Sequence, residues 1–101
     1  MSLRTEQSAF AKTLALLILW VFEQGYEITI GDVWAHDRHK EGSFHYKRLA
    51  ADLNLFKNGK WLIETKDHEP SGEFWKSLDP QCTWGGDFKN KDANHYSWGE
   101  K

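Results

Sequence analysis

The chain has 101 residues and a mass of 11.8 kDa, enough for one compact domain and too few for two. Thirteen Lys and Arg against fifteen Asp and Glu leave a formal net charge of −2, so no basic field is available for a phosphate backbone and nucleic-acid binding is not expected. Hydrophobic residues at 40% and charged residues at 28% exclude a disordered tail, and the single Cys82 excludes an internal disulfide framework or a Cys-rich zinc ribbon.

From Thr5 to Gln24 the apolar residues Phe10, Leu14, Leu17, Ile18 and Val21 recur at three and four, which predicts a helix. Leu16, Leu19, Trp20 and Phe22 widen the stripe, so the helix is expected to be covered on most sides. Thr5 or Ser8 would cap its start, and Gly25 suits the left-handed position past its end. Its apolar run, Thr13 to Phe22, is half the roughly 20 residues that a bilayer span needs. Glu6 before the run and Glu23 after it are wrong for a signal peptide. The run is therefore read as core, with no signal peptide and no stable membrane insertion.

Tyr26 to Trp34 alternates and is β-branched, which predicts a strand. Ala35 to Gly42 is polar and loop-like. Leu49 to Phe56 predicts a second strand, and Lys57-Asn58-Gly59-Lys60 carries Asn-Gly, a hairpin signal because both turn residues tolerate positive φ. Trp61-Leu62-Ile63 is the returning strand. Ser71 would cap a short helix, Gly72 to Leu78, with Phe74, Trp75 and Leu78 on its inner face. Cys82 to Trp84 and Asn94 to Trp98 read as two final strands. The expected architecture is one α+β domain over residues 1–101 with a mostly antiparallel sheet.

Five histidines occur, His36, His39, His45, His68 and His95, and each alone is weak evidence for a ligand. His45 stands seven residues before Asp52, a carboxylate that interrupts the apolar face of a strand that otherwise wants to be buried. Such a carboxylate must be paired, hydrogen-bonded or metal-bound. His95 lies in the last strand, with Asp92 three residues before it. Two imidazoles and one carboxylate are a donor set for catalytic zinc, and Asp92 could then be a base beside it. The spacing is also compatible with ordinary polar strand ends around an aromatic core.

Read in order, SxHxxxLAxD (Ser43 to Asp52), NLFxxGxW (Asn54 to Trp61), GEFWKSL (Gly72 to Leu78), WGGDF (Trp84 to Phe88) and DxxH (Asp92 to His95) cover much of the chain. Together they resemble the zinc D-Ala-D-Ala carboxypeptidase and L-alanyl-D-glutamate endopeptidase family, peptidase family M15, and in particular its small phage endolysin-type members. The resemblance runs from about Phe10 to Trp98. It implies the small α+β fold that these peptidases share with the Hedgehog signalling domain. It further implies one Zn2+ per chain on His45, Asp52 and His95, with Asp92 as catalytic base. The substrate implied is the stem peptide of bacterial peptidoglycan, cut at an L-Ala-D-Glu or D-Ala-D-Ala bond. A monomer made in the cytoplasm of a phage-infected bacterium, a Gram-negative one, and acting on its cell wall is expected from the same likeness.

Two departures stand out. Arg48 occupies a place where the family motif often has glycine, and Ala35 occupies the slot of an arginine that helps polarise the scissile carbonyl. Arg38, three residues later, is the candidate replacement, and Arg38 and Ser43 are the candidate substrate-binding residues. His36 and His39, beside Asp37, could form a second metal site but read better as a solvated loop. The tryptophans read as core, not sugar platforms. Trp84-Gly85-Gly86-Asp87 either brings backbone close to the site or only turns a strand end. Two other functions remain open at this level: a zinc-stabilised structural or wall-binding module without turnover, and an α+β interaction domain without metal.

Overall fold

The structure, a computed structural model, describes residues 2–33 and 42–100. Helix α1 spans Leu3–Glu23 and is capped by Ser2, whose hydroxyl accepts the Thr5 N–H at 3.2 Å. The cap is thus earlier than Thr5 or Ser8, because Ser2 leaves Glu6 in the first turn, where a carboxylate complements the helix dipole. Gly25, at φ +91°, takes the left-handed position after the helix.

Among the described residues five strands follow: β1 (Glu27–Ile30), β2 (Ala50–Lys57), β3 (Lys60–Leu62), β4 (Cys82–Trp84) and β5 (His95–Trp98). A second helix, α2, spans Thr65–Leu78 between β3 and β4. All pairings are antiparallel, in the order β1-β2-β5-β4, with β3 pairing β2 beyond the end of β5. The β2–β3 turn has Asn58 at φ 54° and Gly59 at φ 77°, the two positive values that the Asn-Gly signal implied. The expected α+β fold is therefore present. The first strand ends at Ile30, but pairing continues past it: Gly31 N–H donates to Asp52 O at 2.8 Å, and Asp52 N–H to Asp32 O at 2.9 Å. Trp34, the last residue of the strand expected there, lies outside the described residues.

The core sits between the helices and one face of the sheet. Phe10, Leu17 and Val21 from α1 meet Ala51, Leu53 and Leu55 of β2, Trp75 of α2, Trp84 of β4, and Tyr96 and Trp98 of β5. Residues of β2 alternate, so Ala51, Leu53 and Leu55 face this core while Asp52, Asn54 and Phe56 face outward.

Two expectations about the helices are corrected. The first helix is not covered on most sides: Leu16, Leu19 and Phe22 are 50%, 62% and 49% exposed. One stripe suffices to reach a small sheet, and Trp20 beside it stacks on Phe74 at 4.3 Å. The second helix begins at Thr65, not Gly72. Glu64 N–H donates to Asp67 Oδ2 at 3.2 Å in a capping box, and the helix runs through Pro70. A proline in an early turn removes one intrahelical bond, and here its side of the helix is exposed. Ser71 is consequently a buried helical residue, bonded to the Tyr96 hydroxyl, and caps nothing.

Candidate metal centre and catalytic site

His45 is held by a short 3₁₀ turn, Phe44–Lys47, that enters β2. The Ser43 hydroxyl accepts the His45 N–H at 3.3 Å. Arg48 closes the turn in the left-handed region at φ 57°, ψ 37°, which is the physical reason that glycine suits this place in the motif. Leu49 N–H donates to Phe44 O at 3.0 Å, Trp98 N–H donates to Leu49 O at 2.9 Å, and Gln7 Nε2 donates to Lys47 O at 2.7 Å. The turn is thus tied to α1 and β5, and His45 is 2% exposed.

Asp52 and His95 are cross-strand partners on β2 and β5, both on the outer face of the sheet. Asp52 therefore does not interrupt the apolar face of its strand; it stands on the opposite face, with its side chain 21% exposed. Its Oδ1 lies 3.2 Å from His45 Nε2 and 3.8 Å from His95 Nδ1. Burial alone would raise the Asp52 carboxyl, but hydrogen bonds and charge from His45 and His95 outweigh it and hold the group down at about 2. For His95, burial would lower the imidazole, and the neighbouring Asp52 carboxylate, the bond to Glu100 and the charges of Glu100 and Asp92 raise it to about 9 instead. An ion entering this centre competes with that proton.

Asp92 reaches the same rim from the loop before β5, with Oδ2 at 3.9 Å from His95 Nδ1 and the side chain 56% exposed. Gly85 fixes the loop. Its carbonyl accepts the Asp92 N–H at 2.9 Å, and His95 N–H donates to Asp92 O at 3.0 Å. A Cβ on Gly85 would overlap the Asp92 carbonyl oxygen and stand 2.8 Å from His95 Cβ. Of the two readings of Trp84-Gly85-Gly86-Asp87, close backbone approach to the site is the one observed. Beyond Asp92 opens a cleft of about 440 Å³, lined in part by Asn54, Trp61, Ile63, Lys91 and Asn94. Trp75, Trp84 and Trp98 are core, as expected, but Trp61 is 58% exposed and edges this cleft.

Donors about 2.0–2.2 Å from a tetrahedral zinc ion stand roughly 3.3–3.6 Å from one another. The 3.2 and 3.8 Å separations at Asp52 bracket that spacing, and the three donor atoms all lie within 4.8 Å of one another. Two imidazole nitrogens and one carboxylate oxygen are also the right chemistry for this ion. The residues therefore fit a zinc site, with the Asp92 side open. The model of a family described as D-alanyl-D-alanine carboxypeptidase, in the M15 peptidases, matches residues 36–98, well over half of the chain. The chain belongs to the M15 peptidase family. No curated protein matches it. Within that family match lie all five motifs read from the sequence, including both ends of the His45–Asp52 segment and the Asp92–His95 pair.

Other candidate residues fall differently. Ala35, His36, Arg38 and His39 lie outside the described residues. Ser43 uses its hydroxyl on the His45 backbone. His68 is a core residue, 2% exposed, donating from Nε2 to Leu62 O at 3.2 Å and accepting at Nδ1 from the Tyr96 hydroxyl at 3.1 Å. Burial lowers its pKa. Cys82 is buried, and burial pushes its thiol up to about 12, the setting of an inert hydrophobe and not a nucleophile. No motif in the sequence marks Glu100. Its Oε1 lies 2.7 Å from His95 Nε2, and only Gly99, just past the last strand, hinted at a turn that could bring it back.

Proposed function

We propose that this M15 peptidase is a zinc-dependent peptidoglycan hydrolase of the endolysin type, cutting an L-Ala-D-Glu or D-Ala-D-Ala bond of the stem peptide. The observation that carries the reading is the His45–Asp52–His95 cluster, with its three donor atoms within 4.8 Å of one another, and Asp92 beside it. A zinc ion there would supply Lewis acidity toward a water and the scissile carbonyl.

The residues do the rest. His45, Asp52 and His95 would hold the ion from the rigid outer face of the sheet. Asp92, exposed and next to His95 Nδ1, accepts at Oδ2 the proton that the attacking water loses and returns it to the leaving amine. The cleft beyond Asp92 receives the peptide on one side of the bond, with the side-chain amides of Asn54 and Asn94 facing its backbone and Trp61 at its edge. A purely structural zinc site would have no use for an exposed carboxylate at this place and would close its fourth position.

The same reading makes the protein in the cytoplasm of a phage-infected bacterium, with access to the wall through a separate membrane lesion. What supports a first helix that stays with the folded domain is that α1 spends its Phe10, Leu17 and Val21 stripe on the core. Incubation of zinc-loaded protein with purified peptidoglycan, followed by mass analysis of released fragments, tests the function. New L-Ala or D-Glu termini, or released D-Ala, are expected. Intact peptidoglycan after prolonged incubation would favour a binding module.

A further inference from the structure

No motif singles out Glu100, and the proposed chemistry does not use it. Gly99, at φ 79°, turns the chain back after β5, and its N–H donates to Gln81 O at 2.7 Å. The Thr83 hydroxyl donates to the Glu100 carbonyl, so the Glu100 backbone is fastened to β4. Its side chain then folds over the outer face of β5 and is largely buried, 24% exposed. There Oε1 meets His95 Nε2 at 2.7 Å.

A neutral imidazole carries its proton on one nitrogen only, and a carboxylate accepts but does not donate. Once the ring has given up its second proton to become a ligand, a bond between Glu100 Oε1 and His95 Nε2 therefore keeps the remaining proton on Nε2 and leaves the Nδ1 lone pair bare. Nδ1 is the atom that faces Asp52 Oδ1, 3.8 Å away. Asp92 cannot replace Glu100, because its Oδ2 lies 3.9 Å from Nδ1, the opposite nitrogen.

We propose that Glu100 is a positioning residue that selects the Nε2–H tautomer of His95, aims Nδ1 at the metal centre and so sets the affinity of the chain for zinc. The inference rests on the zinc reading of that centre. Carboxylates behind a ligating histidine fix its tautomer and raise its basicity, and their loss weakens metal binding by about 10–100-fold.

The test is zinc affinity measured by competition with a chromophoric chelator, on the whole chain. Wild type, Glu100→Ala, Glu100→Met and Glu100→Gln are compared, each with thermal melting of its metal-free form. Alanine and methionine remove the acceptor, and methionine keeps the bulk if alanine does not fold. Both are expected to bind zinc about 10–100-fold more weakly than wild type, with metal-free melting little changed. Glutamine retains an acceptor oxygen and is expected to stay within a few-fold of wild type. Wild-type affinity in Glu100→Met, or a glutamine variant as weak as the methionine one, overturns the tautomer role while the zinc reading stands. No zinc uptake by wild type would remove the proposed function, and this inference with it.

Discussion

A buried histidine need not be a ligand, and His68 shows how its partners decide. Both ring nitrogens are spoken for, one by the Leu62 carbonyl and one by the Tyr96 hydroxyl, and burial holds its pKa below the ordinary 6.5. In the unfolded chain the ring takes a proton near pH 6.5, whereas in the fold it resists one. Its contribution to stability is therefore complete above about pH 6.5 and is lost as pH falls below that value, at no more than about 1.4 kcal/mol per pH unit. Wild type is expected to lose melting temperature between pH 7 and 5 more steeply than His68→Gln, since glutamine keeps polar partners but does not titrate there. Parallel curves would show that His68 is protonated in the fold as readily as outside it. Acidic residues stand beside both histidines in the sequence, Asp92 before His95 and Asp67 and Glu69 around His68, so the contrast was not legible there. The bond that sets His95 apart most, to Glu100, was not legible, because it depends on a turn at Gly99 and not on strand periodicity.

Among the elements, the loop between β4 and β5 carries the tightest steric condition at the site. Gly85 lets the Asp92–His95 segment pass in backbone contact, and any side chain there would push that segment away. Gly85→Ala is expected to destabilise the fold by about 1–3 kcal/mol and to weaken zinc binding as well, because β5 carries His95. Chemical denaturation with and without zinc measures both effects, and a variant with wild-type stability and affinity would mean that the loop yields freely. The WGGDF signal leaves a close approach and a simple strand-end turn equally open in the sequence, and only the contact of Gly85 with the Asp92 carbonyl and His95 decides for the close approach. The start of α2 was misread for an equally local reason. Pro70-Ser71 looks like a helix boundary, whereas the Glu64–Asp67 capping box further upstream starts the helix and an exposed face tolerates the missing bond at Pro70. Likewise, alternation in β2 was visible, but which face belonged to the core was settled only by where α1 and α2 pack, and Asp52 went to the other side.

At the scale of the molecule, the proposed metal centre joins three parts of the chain that are distant in sequence: the turn before β2, the middle of the sheet, and β5. The unfolded chain has no such site, so zinc affinity becomes folding energy. Free zinc at about a thousand times Kd would add about 4 kcal/mol, and for a domain of this size that corresponds to well over 10 °C in melting temperature. Chelation is expected to lower the melting temperature of wild type by that order and to leave His45→Ala unmoved. Equal melting with and without chelator would remove the centre from the stability of the fold. The order of the motifs made the family legible, and the hairpin and strands followed from local signals. The cleft edged by Trp61 was not legible, because an exposed tryptophan on a hairpin looks in sequence like any other core aromatic.

In the proposed mechanism one carboxylate, Asp92, turns a metal site into a peptidase. Asp92→Asn keeps the shape of the side chain but cannot take the proton from water. Its zinc content, by elemental analysis, is expected to match wild type, because Asp92 is not among the three donors. Its release of fragments from purified peptidoglycan is expected to fall by about a hundredfold or more, the usual cost of losing a general base. A zinc-replete Asp92→Asn protein that hydrolyses peptidoglycan at the wild-type rate would remove Asp92 from the mechanism.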